Sequence, residues 1–261
     1  MIVAGIDVGS LSTNTVLLNE EKEILGYSII YTGARSKDAA RNSFDQALLR
    51  AALAEEEVSF ILSTGYGREI VPFADTQVTE ITCHALGAHF LFPDTRTVLD
   101  IGGQDSKAIR VSPEGKVLDF AMNDKCAAGT GRFLEVMASA LEIELDEMGQ
   151  ISLQARHPVS ISSMCTVFAE SEVVSRIAQG CAVEDIAYGL HAAIANRTAG
   201  LVKRVGLEEK LTMTGGVAKN IGVVHALQEK LDTTINIYEE PQIVGALGAA
   251  LIALEKVGWR A

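Results

Sequence analysis

Short apolar runs bounded by turn residues alternate with stretches of helical spacing along the first half of the chain. The runs are too short for buried helices and begin or end at glycine, asparagine or charged residues, which favours strands. The pattern predicts strands at residues 2–8, 15–18 and 23–31, a helix at 38–56, a strand at 58–63, a loop at 65–68 and a helix at 79–92. This order indicates an α/β protein.

The opening of the chain recurs at residue 97 without a gap. Few matched positions are identical, so the evidence for the repeat is that strands and turns follow one another at the same spacing in both copies over more than twenty residues. In this register the matched pairs are Asp7 with Asp100, Gly9 with Gly102, Val16 with Ile109, Leu18 with Val111, Ile24 with Val117, Leu25 with Leu118 and Tyr27 with Phe120. Two copies of a three-stranded unit followed by helices predict duplicated α/β domains.

The second copy is interrupted by a cysteine-containing region and then resumes. The pattern predicts helices at 131–141, 166–179 and 183–205, a strand at 210–213, a helix at 220–231, a strand at 234–238 and a helix at 243–256. We expect one subdomain at 1–92 and a second at 93–261, with the C-terminal helix, 243–261, packing back on the first. The cleft between them is the natural ligand site.

Composition describes an ordinary globular chain of 261 residues, with 48% hydrophobic and 21% charged positions. A formal net charge of −12 argues against nucleic acids and anionic membranes as main partners. The first residues carry no basic segment and reach Asp7 too early for a signal peptide. No uninterrupted apolar run approaches the roughly 18 residues of a membrane span. The expected location is the cytoplasm.

Two repeated strands each end in a carboxylate followed by glycines, at Asp7 and at Asp100. Glycines let backbone N–H groups approach a polyphosphate, and the carboxylates can hold Mg²⁺ through water. A third glycine turn, Gly215 and Gly216, follows a later strand. Any one of these turns alone is more simply an ordinary hairpin turn. The three together favour a nucleotide site.

Two cysteines, Cys126 and Cys165, each precede a predicted helix, where orphan N–H groups favour a thiolate. An iron–sulfur centre takes four cysteines, so two such thiols suggest two chains that contribute two ligands each across a two-fold axis. A disulfide or two inert thiols is the simpler alternative.

The other two cysteines are not expected to be ligands. Cys83 lies on an apolar helical stretch and is expected in the core, and Cys181 is expected in a loop. His84 has no second ligand at metal spacing.

The glycine turns resemble the phosphate-1, phosphate-2 and adenosine motifs of the actin/Hsp70/sugar-kinase superfamily, at residues 7–10 (DVGS), 100–105 (DIGGQD) and 214–220 (TGGVAKN). More narrowly, the chain resembles the ATPase activators (component A) of 2-hydroxyacyl-CoA dehydratases, in the BadF/BadG/BcrA/BcrD-type family that includes benzoyl-CoA reductase ATPase subunits. This resemblance is carried by residues 123–133 (NDKCAAGTGRF), 162–172 (SSMCTVFAESE) and 245–251 (GALGAAL).

The resemblance implies duplicated actin-like (ribonuclease H-like) ATPase domains with Asp7 and Asp100 among the catalytic residues. Gln104 follows the phosphate-2 glycines and is the third catalytic candidate: its amide could orient the attacking water, or it could instead make a turn hydrogen bond. The resemblance implies contacts to ATP or ADP from Gly9, Ser10, Ser12, Thr13, Gly102, Gly103, Lys107, Gly215, Gly216, Asn220 and Gln242. Gly129, Thr130 and Gly131 are expected as cofactor-binding residues that either donate N–H groups to cluster sulfur or connect the cluster to the phosphates. Many relatives carry a lysine seven residues after the first aspartate, where this chain has Asn14. Lys107 stands at the equivalent position of the second repeat.

The resemblance also implies an oxygen-sensitive homodimer bridged by one [4Fe–4S] cluster on Cys126 and Cys165 of both chains. ATP hydrolysis would drive a low-potential electron, drawn from a flavodoxin or ferredoxin, to a dehydratase or reductase component. Two alternatives stay open: a small-molecule kinase of the same superfamily, and a nucleotide-dependent regulatory module with a structural disulfide. Only the activator requires both thiols reduced.

Overall fold

Two five-stranded mixed sheets form the framework of a computed structural model that describes residues 1–162, 165–208 and 210–258. The strands of the first sheet are β1 (Ile2–Val8), β2 (Ser12–Asn19), β3 (Ile24–Tyr31), β4 (Val58–Thr64) and β5 (Thr76–Gln77). Those of the second are β6 (Thr97–Ile101), β7 (Ser106–Val111), β8 (Val117–Asn123), β9 (Leu211–Thr214) and β10 (Ile235–Ile237). Ser163 and Met164 of the second cysteine motif, and residues 259–261 of the expected second subdomain, lie outside the described residues.

Eight α-helices are present in the described part of the chain. They are α1 (Ser36–Ala51), α2 (Glu80–Leu91), α3 (Gly131–Ala140), α4 (Met148–Ser152), α5 (Thr166–Ala178), α6 (Val183–Val205), α7 (Ile221–Leu231) and α8 (Val244–Gly258). Short 3₁₀ turns occupy Glu55–Glu57, Arg68–Ile70, Gly216–Lys219 and Pro241–Ile243.

The two sheets have the same topology. Their strand orders are β3-β2-β1-β4-β5 and β8-β7-β6-β9-β10, with antiparallel pairs on one side of β1 and β6 and parallel pairs on the other. Asp7 lies opposite Asn14 in the first sheet, as Asp100 lies opposite Lys107 in the second. Even the register shift in the outer antiparallel pair occurs at matched places. The predicted duplicated α/β class is confirmed.

Some element boundaries differ from the sequence pattern. The helix expected at 38–56 is α1, which ends at Ala51 because Ala52 adopts a left-handed conformation, with φ of 53°, and caps the carbonyl groups of Leu48 and Leu49. The chain then forms the separate 3₁₀ turn Glu55–Glu57. The five-residue α4 and the two-residue β5 were not predicted, since neither is long enough to show a period.

The C-terminal helix α8 packs on the first sheet, against β1, β2 and β4, although it follows the second sheet in the chain. Gly5 of β1 permits this contact, because a Cβ there would collide with the backbone carbonyl of Ala246. On its other side α8 crosses α2, and α2 also contacts strands of the second sheet. The α2–α8 pair therefore joins the two halves, whereas the subdomain boundary at 92/93 stays a prediction.

One segment, Pro241–Gly258, has the length and mean hydropathy (1.2) of a membrane span. The segment reaches this length only by including Gln242, Glu255 and Lys256 near its ends, so it is not an uninterrupted apolar run. Yet 61% of it is buried within the fold, mainly against the first sheet. Such burial is typical of a core helix of a folded domain.

Candidate nucleotide cleft and cysteine region

A cleft of about 1090 Å³ opens where the carboxyl ends of β1, β4, β6 and β9 meet. The turns after β1 and β6 have the same internal hydrogen bond. The Gly9 N–H donates to the Ser12 carbonyl at 2.9 Å, and the Gly102 N–H donates to the Asp105 carbonyl at 3.0 Å. The repeated sequence motif thus gives two equivalent turns that face one cavity.

Most of the residues predicted to contact nucleotide line this cleft. They are Asp7, Gly9, Ser10, Ser12, Asp100, Gly102, Gly103, Gln104, Lys107, Gly131, Gly215, Gly216, Asn220 and Gln242. They come from widely separated segments that the two sheets bring together, which is the arrangement expected of a ligand site between duplicated domains.

Three residues of the predicted set are placed away from the cleft lining. Strand alternation turns Ser12 and Asn14 toward the cleft and Thr13 to the opposite face, where its hydroxyl bonds Thr32 at 2.9 Å. Thr130 is fully buried as the N-cap residue of α3, and its hydroxyl donates to the Ala127 carbonyl at 2.7 Å. Gly129 takes a left-handed conformation, with φ of 84°, in the same turn. Thr13 therefore does not face a nucleotide in the cleft. The expected role of Gly129 and Thr130 between the cluster and the phosphates stays a prediction.

Asp100 is buried beside two donors and a histidine. Its Oδ2 atom is 3.2 Å from Lys107 Nζ, and its Oδ1 atom accepts from the Thr214 hydroxyl at 2.9 Å. Burial raises the pKa of this carboxyl, but the nearby His84 and Lys107 and the hydrogen bonds outweigh that effect, and the net pKa is lowered. Asp100 is therefore a carboxylate over the physiological range.

Asp7 occupies the equivalent position in a different environment. The residue opposite it is Asn14 rather than a lysine, and burial raises the pKa of Asp7 from its ordinary 3.8 to about 6 despite the proximity of His84. The Asn14 amide nitrogen donates to the Gln242 carbonyl at 3.2 Å, and its oxygen is buried with no hydrogen-bond partner in the described part of the chain. The repeat is thus electrostatically asymmetric.

The Lys107 ammonium is enclosed by carboxylates. It lies 2.8 Å from Asp105, 3.2 Å from Asp100 and 3.8 Å from Glu80. Burial lowers the pKa of Lys107, but these carboxylates raise it by more, so the side chain stays charged. Because its charge is balanced by these carboxylates, Lys107 attracts a phosphate group less strongly than the sequence suggested.

Sequence reasoning missed the contribution of α2 to the cleft. Glu80 and His84 both line it, and Glu80 also meets Arg68 Nη1 at 3.5 Å. The spacing from Glu80 to His84 is i, i+4, which places both side chains on one helix face. That spacing is visible in the sequence, but it matches no common metal motif and so does not by itself indicate a ligand site.

The loop at residues 65–68 contributes more than its sequence indicated. Gly65 follows β4 with φ of 90°, and Gly215 follows β9 with φ of 84°. A Cβ on either glycine would collide with the neighbouring aspartate, Asp7 or Asp100 respectively. The loop after β4 is therefore the first-half counterpart of the third glycine turn, and it closes the cleft beside Asp7.

The charge of the cleft suits a divalent cation. Asp7, Asp100, Asp105 and Glu80 crowd one region that Lys107 neutralises only in part. A polyphosphate would be repelled by these acids unless a cation came with it. Carboxylate oxygens are the ligands that Mg²⁺ prefers. Within the described residues no three acidic or histidine side chains are grouped closely enough to hold a metal ion by themselves, so these carboxylates would bind Mg²⁺ through water. Asp7 and Asp100 thus fit a magnesium-nucleotide complex.

The cysteine region lies beside this cleft. Cys165 is the N-cap residue of α5, as predicted. Cys126, however, is not at a helix terminus, because a turn separates it from α3, which begins at Gly131. The Asn123 side-chain amide donates a hydrogen bond to the Cys126 carbonyl at 2.9 Å. Helices α3 and α5 pack together. All four cysteines are free thiols.

One chain supplies too few ligands for a metal cluster. Within residues 1–162, 165–208 and 210–258, no three His, Cys, Asp or Glu side chains are grouped to hold a metal ion. Cys126 and Cys165 are two thiols, half of the four that a [4Fe–4S] cluster takes. The donor type fits such a cluster, and the number fits only if a second chain contributes the same pair.

The cleft and the cysteine region are joined by backbone hydrogen bonds. The Gly131 N–H donates to the Gly102 carbonyl at 2.9 Å, and the Arg132 N–H donates to the Gly103 carbonyl at 2.8 Å. The first turn of α3 is therefore fixed to the glycine turn after β6. Cys126 precedes Gly131 in the chain, so a short segment connects it to the turn that these hydrogen bonds hold.

Asp7→Asn is expected to stabilise the nucleotide-free protein at neutral pH. The raised pKa of Asp7 means that its favourable contribution to folding is complete below pH 3.8 and is lost as pH rises through about 6. The difference between a pKa of 3.8 in the unfolded chain and about 6 in the folded one corresponds to about 3 kcal/mol of unfolding free energy. Urea unfolding should therefore show a larger gain for Asp7→Asn at about pH 7.5 than at about pH 5. An equal gain at both pH values, or none relative to the exposed control Asp94→Asn, would contradict the burial of this charge.

Known proteins resemble this chain over its whole length. It is similar to the activator of lactoyl-CoA dehydratase from Anaerotignum propionicum, with 49% identity over 255 residues that cover 98% of each protein. It is also similar to a benzoyl-CoA reductase component from Thauera aromatica, with 35% identity over 260 residues that cover 96% of this chain and 92% of the relative.

The fold has a close counterpart among solved structures. The activator of the 2-hydroxyisocaproyl-CoA dehydratase from Clostridium difficile with bound ADPNP superposes with a TM-score of 0.96 at 42% identity, over 100% of this chain and 97% of the other. This match confirms the actin-like ATPase fold. The family model described as the BadF/BadG/BcrA/BcrD ATPase family matches residues 4–253. The chain therefore belongs to the BadF/BadG/BcrA/BcrD ATPase family.

Proposed function

We propose that this protein is an ATP-hydrolysing activator that transfers a low-potential electron to a 2-hydroxyacyl-CoA dehydratase or a related CoA-ester reductase. The observation that carries the proposal is the pair of hydrogen bonds from Gly131 and Arg132 to the Gly102–Gly103 turn. A nucleotide-dependent change in that turn would reach Cys126 directly. An ATPase needs such a link if its hydrolysis is to alter a redox centre.

In the cleft, the chain's own residues bind and orient the nucleotide. Backbone N–H groups at the two glycine turns would donate to phosphate oxygens, and Asp7 and Asp100 would hold Mg²⁺ through water. The magnesium ion, when bound, neutralises charge that develops on the phosphates. Gln104 lies on the cleft wall after the second glycine turn, from which its amide can orient the attacking water.

The cysteine pair acts across a two-fold axis. Cys126 and Cys165 of each of two chains would together supply the four thiolates that hold one [4Fe–4S] cluster. The surface next to Cys165 supports a protein contact there: Val167 is 67% exposed and Phe168 is 68% exposed at the start of α5. Large apolar side chains grouped in this way mark interaction surfaces more often than free surface.

The partner is a dehydratase component in this proposal, by analogy with the lactoyl-CoA and 2-hydroxyisocaproyl-CoA relatives. The relative from Thauera makes a benzoyl-CoA reductase the second candidate. A flavodoxin or ferredoxin in the cytoplasm would supply the electron. A shared cluster with two anchors per chain is exposed to oxidants, so we expect the protein to be oxygen-sensitive.

Anaerobic purification tests this function. The protein should be brown, contain about two iron atoms per chain and have the mass of a dimer by light scattering, because four irons are shared by two chains. Exposure to air should bleach it and lower the dimer fraction. If the protein stayed a colourless monomer after iron and sulfide reconstitution under nitrogen and still hydrolysed ATP, the redox role would be refuted and only the ATPase activity would remain.

A further inference from the structure

The imidazole of His84 lies between the two repeated aspartates, one from each half of the protein. Its Nδ1 atom is 3.0 Å from the Thr214 hydroxyl oxygen and 3.5 Å from Asp100 Oδ1. Its Nε2 atom is 3.9 Å from Asp7 Oδ2. The ring is buried. One nitrogen therefore contacts the second sheet while the other faces the first.

Close helix packing fixes the ring in this place. A Cβ on Gly245 of α8 would collide with Asp7 Oδ2 and lie 2.8 Å from His84 Nε2. A Cβ on Gly248 would collide with the backbone carbonyl of Cys83, the residue before His84. The two glycines let α8 approach α2 at backbone distance, so the histidine is held by the backbone around it and has little freedom to turn away.

The helix that carries His84 spans the joint between the halves. Helix α2 packs on α8, which belongs to the first sheet, and also contacts β6, β7 and β9 of the second. Any change in the width of the cleft must alter the distances from His84 to Asp7 or to Asp100. Two buried carboxylates repel each other, and a ring placed between them with a polar atom toward each sets their separation.

We propose that His84 is a positioning residue that fixes the separation of Asp7 and Asp100 and thereby sets how tightly the cleft closes on a magnesium-nucleotide complex. The inference rests on the proposed nucleotide site and deepens it. His84 acts through the two aspartates. Its loss should therefore weaken the part of nucleotide affinity that depends on Mg²⁺ and leave the metal-free part unchanged.

Calorimetric titration of ADP, with Mg²⁺ and with a chelator, tests this role in the full chain. His84→Ala should reduce the Mg²⁺-dependent gain in ADP affinity about fivefold, the typical effect of losing one buried hydrogen bond, here the bond from His84 Nδ1 to the Thr214 hydroxyl that in turn donates to Asp100. Metal-free affinity should change by less than about twofold. His84→Asn keeps an amide near the Nδ1 position and His84→Gln keeps one near Nε2, so each should restore part of the gain.

The control is His225→Ala, which removes a histidine from the exposed face of α7 and should behave as wild type. Thermal unfolding of every variant separates packing from positioning. An unchanged Mg²⁺-dependent gain in His84→Ala would overturn the inference alone. The inference would also be overturned if His84→Asn and His84→Gln bound Mg-ADP no better than His84→Ala and all three variants lost the same thermal stability. Failure of the wild type to bind Mg-ADP would remove the proposed nucleotide site as well.

Discussion

Serine in place of Cys126 or Cys165 is expected to reduce the iron content from about two atoms per chain to nearly none. Each wild-type chain would supply two thiolates to a shared cluster. Because a substitution is present in both chains of a homodimer, it would remove two of the four ligands. A hydroxyl is a poor substitute, because it is not ionised near neutral pH. The chain should still fold and bind nucleotide, since Cys165 is exposed and Cys126 lies in a loop.

Cys83→Ser and Cys181→Ser are the matched controls. Cys83 is fully buried, and burial raises the pKa of its thiol to about 12, which disfavours the thiolate that a metal needs. Cys181 lies in the loop between α5 and α6. Both variants should keep full iron content after anaerobic purification. A complete four-iron cluster in either Cys126→Ser or Cys165→Ser would contradict the bridging arrangement.

The second large effect is expected at the aspartates. Asp7→Asn and Asp100→Asn should each lower the rate of Mg-ATP hydrolysis about 100-fold or more, since in the proposed mechanism each removes a charge that would position the metal against the phosphates. Iron content should remain, because the proposed cluster ligands, Cys126 and Cys165, are different side chains. Colour and turnover are thus separable.

Steady-state phosphate release by anaerobically purified variants measures this effect, with Asp94→Asn as the exposed control. Asp100→Asn also leaves Lys107 with one fewer carboxylate partner, so its unfolding should be followed in parallel. Wild-type hydrolysis in both aspartate variants would refute the assignment of the cleft as the ATPase site.

The fold was predictable because it is encoded twice. Weak strand and turn signals in residues 2–31 gain weight when they recur in phase from residue 97, and both sheets have the register that this phase implies. The glycine turns were predictable for the same reason, since carboxylate and glycine follow matched strands. The ends of elements were not, because a single left-handed residue such as Ala52 ends a helix whose spacing continues.

The interior of the site was harder to predict because it depends on the packing of distant segments. His84 reaches the aspartates only because α2 and α8 cross at glycine positions, and nothing in the local sequence around it indicates that crossing. Thr13 was expected at the cleft from the resemblance, whereas strand alternation directs it to the other face. The offset of Cys126 from α3 reflects the turn capped by Thr130, which apolar spacing does not reveal.

The central claim is that the nucleotide cleft and the cluster are coupled, and chelator-driven iron loss under nitrogen tests it most directly. A nucleotide can change the dimer only as far as it prefers one arrangement over another. With ADP and with a non-hydrolysable ATP analogue bound, the rates of iron loss should differ by about fivefold or more, a typical coupling between two sites. Identical rates in the two states would contradict the account and leave a redox protein whose ATPase does not act on its cluster.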